Sequence, residues 1–528
     1  MTFGCALRRG TTLALVAGLS VHDASAASLR LDQRASLAWH DDNGNAATDD
    51  DHYGLLVERL TLSGSAEGLD TAAQVSGEQF VGSPDGRYRD DVRLERLSVS
   101  QTLSIPSAPS GELTITAGDF YRQIGRGLLL SLRKVDALGL DVTLFGGRLA
   151  FADDKHEADV FAGRTHSVSF DGVTQRHVDP VEDVIVGASF LSRIVEGATF
   201  GFSAVHLRVD EHLLGPNISE HTTSTGASVE IPALARGLSV YFEGAAQSRK
   251  AEGRLDDRLI DEAHRGWASY LTIDLVSGDF GVLVEGLYLD EMMLRGSTNP
   301  AAGQRFAYDQ PPTLERMDQE VLNNTNVRGG RLRLSYALAD GDVLPSLNVA
   351  YRQHDPGARY EQMDALHAYT GLDFTYAKGT SRLGFSGGYR QEYQAGEKLK
   401  QAIHGEGDWV HALDGGYATH LSVGHEERRL LSAGAHKDSR RGTTLVGLEK
   451  QGLGTATAEV GYDTFDTRQS VRALHLAGIV SWDATEAVTL QATGGSQRGG
   501  IKCIDGVCRN FPAFTGGKLD VTLRHDLL

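Results

Sequence analysis

The sequence predicts an all-β fold: a transmembrane, antiparallel, up-and-down β-barrel of about 24 strands, with 22 as the alternative count. Three observations predict it. Apolar and polar residues alternate over runs of about eight to eleven residues along the whole chain. The connections between these runs alternate between tight and long, as short periplasmic turns and long extracellular loops do. No stretch of the 528 residues nears the roughly 18 consecutive apolar residues that a membrane helix needs.

Composition agrees with this class. Gly is abundant at 62 residues, Pro scarce at 12, and Cys nearly absent at 3. Mean hydropathy is −0.25, because each lipid-facing residue of a barrel strand is followed by a lumen-facing polar one. The formal charge is −19. Nucleic-acid binding, which needs clustered positive charge, is not expected.

Residues 1–26 read as a cleaved signal peptide. Arg8 and Arg9 form a basic start, Thr11 to Ser20 a short apolar core, and Ala24-Ser25-Ala26 the small residues a signal peptidase reads. Residues 27–528 are then one barrel, in the outer membrane of a Gram-negative bacterium. The expected surroundings are outer-membrane lipid and lipopolysaccharide, reached through the barrel-assembly machinery.

The first strand places Leu29, Leu31, Ala35, Leu37 and Trp39 on one face, and Arg30, Asp32, Arg34, Ser36 and His40 on the other. Similar alternation marks Leu238-Val240-Phe242 against Ser239-Tyr241-Glu243, and Leu271-Ile273-Leu275 against Tyr270-Thr272-Asp274. The final strand sets Leu519, Val521, Leu523 and Leu527 against Lys518, Asp520, Thr522, Arg524 and Asp526, and is expected to close the barrel on the strand at Leu29 to Trp39. Tight turns are expected at Ser277-Gly278-Asp279, Lys378-Gly379-Thr380-Ser381 and Asp414-Gly415-Gly416. Long polar outward loops are expected at 210–222, 247–265, 292–326, 353–366 and 426–440. The chain carries no mixed segment of a hundred residues ahead of the first strand, so a plugged TonB-dependent receptor is not expected.

One segment breaks the pattern. Gly118 to Asp141 should be an outward loop, yet it holds Leu128, Leu129, Leu130 and Leu132, whose burial is favourable, and a basic group of Arg122, Arg126, Arg133 and Lys134 in an acidic chain. It is expected to fold inward as a pore constriction, or else to belong to the wall. Its G-D-F-Y (Gly118 to Tyr121), G-R-G-L (Gly125 to Leu128) and L-G-L-D (Leu138 to Asp141), followed by Thr143-Leu144, resemble an uncharacterised family of porin-like outer-membrane β-barrels. The resemblance covers about 35 residues. It implies location and architecture and no chemistry.

Cys503 and Cys508, in C-I-D-G-V-C, are expected to form a disulfide in an oxidising compartment. No metal site is expected there, since two thiolates make half a zinc site. Asp41 to Asp51 is oxygen-rich but lacks calcium-loop spacing, and reads as a solvated loop tip. The 19 His are scattered with no G-x-S-x-G, so no enzyme, catalytic residue or cofactor is expected. Two functions remain: a passive channel for small solutes or export, lined by residues such as Arg30, Asp32, Arg34, Glu243, Asp274, Glu285, Arg390, His420 and Glu459, and alternatively a non-conducting scaffold barrel holding a partner protein.

Overall fold

The computed structural model describes residues 27–42, 51–82, 90–105, 110–135, 140–170, 177–178, 182–209, 218–255, 258–298, 305–314, 325–358, 361–432, 435–464, 474–504, 507–511 and 514–528. The signal segment and most of 41–51 lie outside these residues. Among the described residues 26 strands share one antiparallel sheet; two of them, Lys134–Val135 and His177–Val178, are two-residue additions, and the other 24 form a closed wall. Each wall strand pairs with the next in the chain. The ring closes where Ser28–Asp42 meets Phe514–Asp526, with Arg30 opposite Asp526, Ala35 opposite Val521 and Leu37 opposite Leu519. The closing strand thus meets the partner expected of it. At about 4.8 Å between strands and a tilt near 40°, such a ring is roughly 45–50 Å across if circular.

Alternation turns the usual protein inside out. Outward side chains are large, apolar and exposed: Leu37 51%, Phe242 43%, Ile403 61% and Val446 55%. Their inward neighbours are charged and buried, such as Glu243, Arg331, Arg390 and Glu392. Exposed outward Trp and Tyr, joined by Phe280, collect in two bands. Trp39, Trp267, Tyr288, Tyr351 and Tyr389 lie toward the loop rim; Phe280, Tyr336, Tyr417 and Trp482 lie toward the tight-turn rim. On strand Phe280–Asp290 the two bands, at Phe280 and Tyr288, are about 26 Å apart along the strand and about 20 Å along the barrel axis. That matches an apolar belt with aromatic girdles.

Inward charged groups pair across neighbouring strands or along one strand. Arg331 Nη1 lies 3.2 Å from Glu285 Oε2, Arg390 Nη2 2.6 Å from Glu392 Oε1, and His420 Nε2 2.8 Å from Asp408 Oδ2. Gln497 Nε2 donates to Glu459 Oε2 at 3.2 Å.

Two expected loops prove to be strand. Within 247–265, strands Leu238–Leu255 and Arg258–Ser277 stay paired up to Leu255 opposite Arg258. Within 426–440, Tyr417–Ser432 and Ala435–Lys450 stay paired up to Ser432 opposite Ala435. Polarity marks where the chain leaves the apolar belt, not where pairing stops. The ladder continues above it, with charged pairs such as Arg429 with Asp438 at 2.8 Å and Lys250 with Glu252 at 3.0 Å laid across or along the strands.

Candidate functional site

Two segments leave the wall and fold onto its inner face. The first departs after strand Glu112–Phe120 and rejoins at Leu140–Ala152, and these two strands pair directly beneath it. Between them, Arg122–Ile124 pairs with Leu130–Leu132 as a separate hairpin. Leu128, Leu129, Leu130 and Leu132 are all 1% exposed or less. They pack against inward residues of the wall including Phe161, Ile185, Leu207, Ala245 and Leu287. The apolar run that marked this segment therefore buries itself inside the ring.

The second segment follows strand Phe280–Asp290, and the inward course of its described residues, 292–298 and 305–314, corrects the expectation of an outward loop there. Arg295–Thr298 pairs with Arg305–Ala307, and Met292, Leu294, Tyr308 and Leu314 join the same apolar cluster. This insertion was missed because its apolar residues are spread among polar ones. It clamps the first hairpin by backbone: Ser131 N donates to Tyr308 O at 2.7 Å, and Gln310 N to Gly127 O at 2.9 Å. It is held to the wall by Asp183, wholly buried, which accepts from Ser297 N (2.8 Å), Ser297 Oγ (2.6 Å) and Tyr308 Oη (2.7 Å). Asp309 is also buried; burial pushes its carboxyl above the usual range, with Arg295 3.8 Å away opposing the shift.

The four basic residues do not meet as one ring. Arg122 turns to the wall, donating to Ser189 Oγ at 2.6 Å with Asp159 3.5 Å from its Nε. Arg126 sits exposed at the hairpin tip, its guanidinium 4.7 Å from the Tyr241 ring, a cation–π distance. Its backbone N donates to Glu243 Oε2 at 2.8 Å. Arg133 Nε donates to Gln310 Oε1 at 2.7 Å, and Lys134 is exposed. Only Arg126 therefore presents a cation at the tip of the inward hairpin.

The motif residues at the two ends of the first segment converge on the outward side of the wall. Gly118 has φ +97°, and a Cβ there would lie 2.0 Å from Leu97 O, so the strand can kink only at glycine. Asp119 then accepts from Leu97 N (2.8 Å), Thr143 Oγ1 (2.7 Å) and His166 Nδ1 (2.8 Å). Asp141 holds Arg96 at 2.6 Å and accepts from Tyr121 Oη at 2.8 Å. The knot fixes where the chain leaves and re-enters the wall. Arg96 and His166 carried no sequence signal, since strand register alone brings them to Asp119 and Asp141.

Cys503 stands opposite Cys508 in the register of the hairpin Gly500–Ile504 with Val507–Phe511. Among the described residues no group of three or more His, Cys, Asp or Glu could hold a metal ion.

The rest of the inner wall is polar. A cavity of about 600 Å3 lies there against the strands from Val327 to Lys450, lined by residues such as Arg333, Asn348, Tyr369, His404, Glu406 and Asp408.

No protein-family description and no curated protein matches the chain. Solved structures do. The siderophore receptor PirA of Pseudomonas aeruginosa superposes with a TM-score of 0.50 at 8% identity, over 95% of this chain and 80% of that one. A point variant of the ferric enterobactin receptor PfeA of the same organism gives 0.50 at 8%, over 96% and 82%. The translocation pore of the P pilus usher PapC gives 0.37 at 11%, over 95% and 100%. At these identities the likeness concerns fold: the chain is a large β-barrel of the outer-membrane type.

Proposed function

We propose that the barrel is an outer-membrane channel for small polar solutes, narrowed on one side by the hairpin at 122–132 and braced by the described residues of 292–298 and 305–314. One observation carries this reading. The apolar cluster under the hairpin draws its wall residues from Phe120 and from the strands between Leu140 and Tyr336, about two-fifths of the ring, while the remaining inner wall is lined by polar and charged side chains that are partly exposed, such as Glu406 at 52% and Asp408 at 48%. The described residues of both inner segments pack on that arc of a ring some 45 Å wide, and the polar arc opposite is the path this reading gives to water and ions. Arg126, at the tip, is the residue assigned to tune selectivity.

Planar-bilayer recording of the purified full chain tests this. Stable ohmic conductance is expected, with Arg126→Ala raising cation over anion permeability. Replacing residues 122–133 by a short Gly-Ser linker is expected to enlarge the conductance. Silence of both proteins, with the barrel shown folded, would overturn the channel and favour a scaffold that holds a protein partner.

A further inference from the structure

The inner-wall cavity has an order that charge pairing alone does not require. Much of its lining falls in three rows of register partners across adjacent strands. Arg333, Asn348, Tyr369, Gly388 and His404 form one. Ser346, Gly371, Ser386, Glu406 and Gly424 form the next. Asp373, Gly384, Asp408 and Ser422 form the third. Gly371 and Gly424 in the second row and Gly384 in the third line the cavity as a floor of bare backbone, while Gly388 in the first row lies beneath Tyr369 and His404. The space is closely fitted: a Cβ at Gly371 would lie 2.9 Å from Ser346 Oγ, and one at Gly384 3.2 Å from Asp373 Oδ1.

The charges on the walls are already matched. Arg441 Nη2 is 2.7 Å from Glu426 Oε2, Arg382 Nη2 2.8 Å from Asp373, and Arg498 Nη1 3.5 Å from Asp463, while Asp408 shares a hydrogen bond of 2.8 Å with His420 Nε2. An ionic solute of either sign would meet a like charge within reach and gain no net field. What stays on offer is hydrogen bonding of both kinds. Glu406, half exposed, receives one hydrogen bond from Ser386 Oγ at 3.3 Å, which leaves most of its acceptor capacity for a solute. Arg333 and Asn348 line the same cavity and bring N–H donors to it. A hydroxyl both donates and accepts, so a solute dense in hydroxyls suits both ends at once. Tyr369, set against His367 and His404 with ring centroids 4.7 and 6.3 Å away, adds an aromatic surface beside the glycine floor.

We infer that this cavity is a recognition site for an uncharged saccharide, with Glu406 and Asp408 accepting from its hydroxyls, Arg333 and Asn348 supplying donors, and Tyr369 facing the C–H side of a ring. The row from Arg333 to His404 spans four interstrand steps, at most about 19 Å, which suits a short oligosaccharide. The volume of about 600 Å3 lies within the range of small-molecule pockets. The inference rests on the channel reading, in which the cavity faces the solute path.

Maltotriose serves as the probe, titrated calorimetrically into the full-length barrel in detergent and added to the bilayer recording. Saturable millimolar binding and a reversible fall in current are expected. The double variant Glu406→Gln/Asp408→Asn is expected to weaken binding at least about tenfold, by loss of two charged acceptors. Gly384→Val, which fills the floor, is expected to abolish binding with open conductance kept. Absence of binding in a barrel that conducts overturns the saccharide site and spares the channel. Binding without conductance overturns the channel and leaves the site standing. Binding of trilysine or trigalacturonate as tight as that of maltotriose refutes the argument from matched charges.

Discussion

Gly127→Ala is the sharpest test of how the inward hairpin is held. Gly127 has φ +89°, a conformation that costs Ala about 1–2 kcal/mol. The added Cβ would lie 2.5 Å from Gln310 O, a backbone atom that cannot swing aside. Relief requires the two inner segments to part, with loss of the bonds from Gln310 N to Gly127 O and from Ser131 N to Tyr308 O. Each contributes about 0.5–1.5 kcal/mol net. The total, about 2–5 kcal/mol, is a factor of roughly 30 to 4,000 in the balance between clamped and released hairpin. The control is Gly278→Ala. Gly278 has φ +58° at a tight turn, and a Cβ there meets nothing within 4 Å, so only the conformational cost applies. The assay is single-channel recording together with limited proteolysis of the folded barrel. Gly127→Ala should show added open-channel noise, excursions to a larger conductance and new cleavage between 122 and 133. Gly278→Ala should match the wild type. Identical traces and digests for the two variants would refute the clamp.

Three further outcomes follow from the same geometry. Asp183→Ala removes the carboxylate that Ser297 and the Tyr308 hydroxyl share at a buried site, leaving that hydroxyl the longer bond to Thr165 Oγ1 at 3.2 Å, at a cost of about 2–4 kcal/mol; new protease sensitivity near 295–310 is expected, with Asp183→Asn milder. Val446→Lys puts a charge on the outward apolar belt and should cost about 2–4 kcal/mol near mid-membrane, read as a lower yield of the heat-modifiable folded band on SDS gels. Ser422→Lys, inward, should leave that band unchanged. Cys503 and Cys508 should form a disulfide in the exported chain, seen as failure of both thiols to alkylate before reduction; full alkylation without reductant would exclude it.

Much of the architecture was legible in the residues. Alternation at Leu238-Val240-Phe242 against Tyr241 and Glu243 assigns outward and inward faces because a strand has only two, and the tight turn at Gly278-Asp279 follows from local conformational need. The closing partner of the last strand follows once every strand pairs with its neighbour. The leucines of the first segment could be read as buried because no loop in water gains from displaying them. Polarity alone misplaced two hairpins, 247–265 and 426–440, as loops, since the signal for leaving the membrane is not a signal for ending a strand.

What only the tertiary structure decided lies wherever distant register positions meet. The second inner segment has no apolar run of its own and is recognisable only by the hairpin it clamps. Asp183 looks like any acidic loop residue until Ser297 and Tyr308 reach it from over a hundred residues away. Arg96 and His166 join the motif carboxylates through three successive pairings of four strands. The basic cluster of Arg122, Arg126, Arg133 and Lys134 is contiguous in sequence, yet the hairpin fold sends its members in different directions and leaves Arg126 at the tip. The sequence by itself determined the strands, their faces and the ring they close, because alternation and turns are local. The contents of the ring are set by contacts between segments far apart in the chain, for which one-dimensional pattern carries no signal.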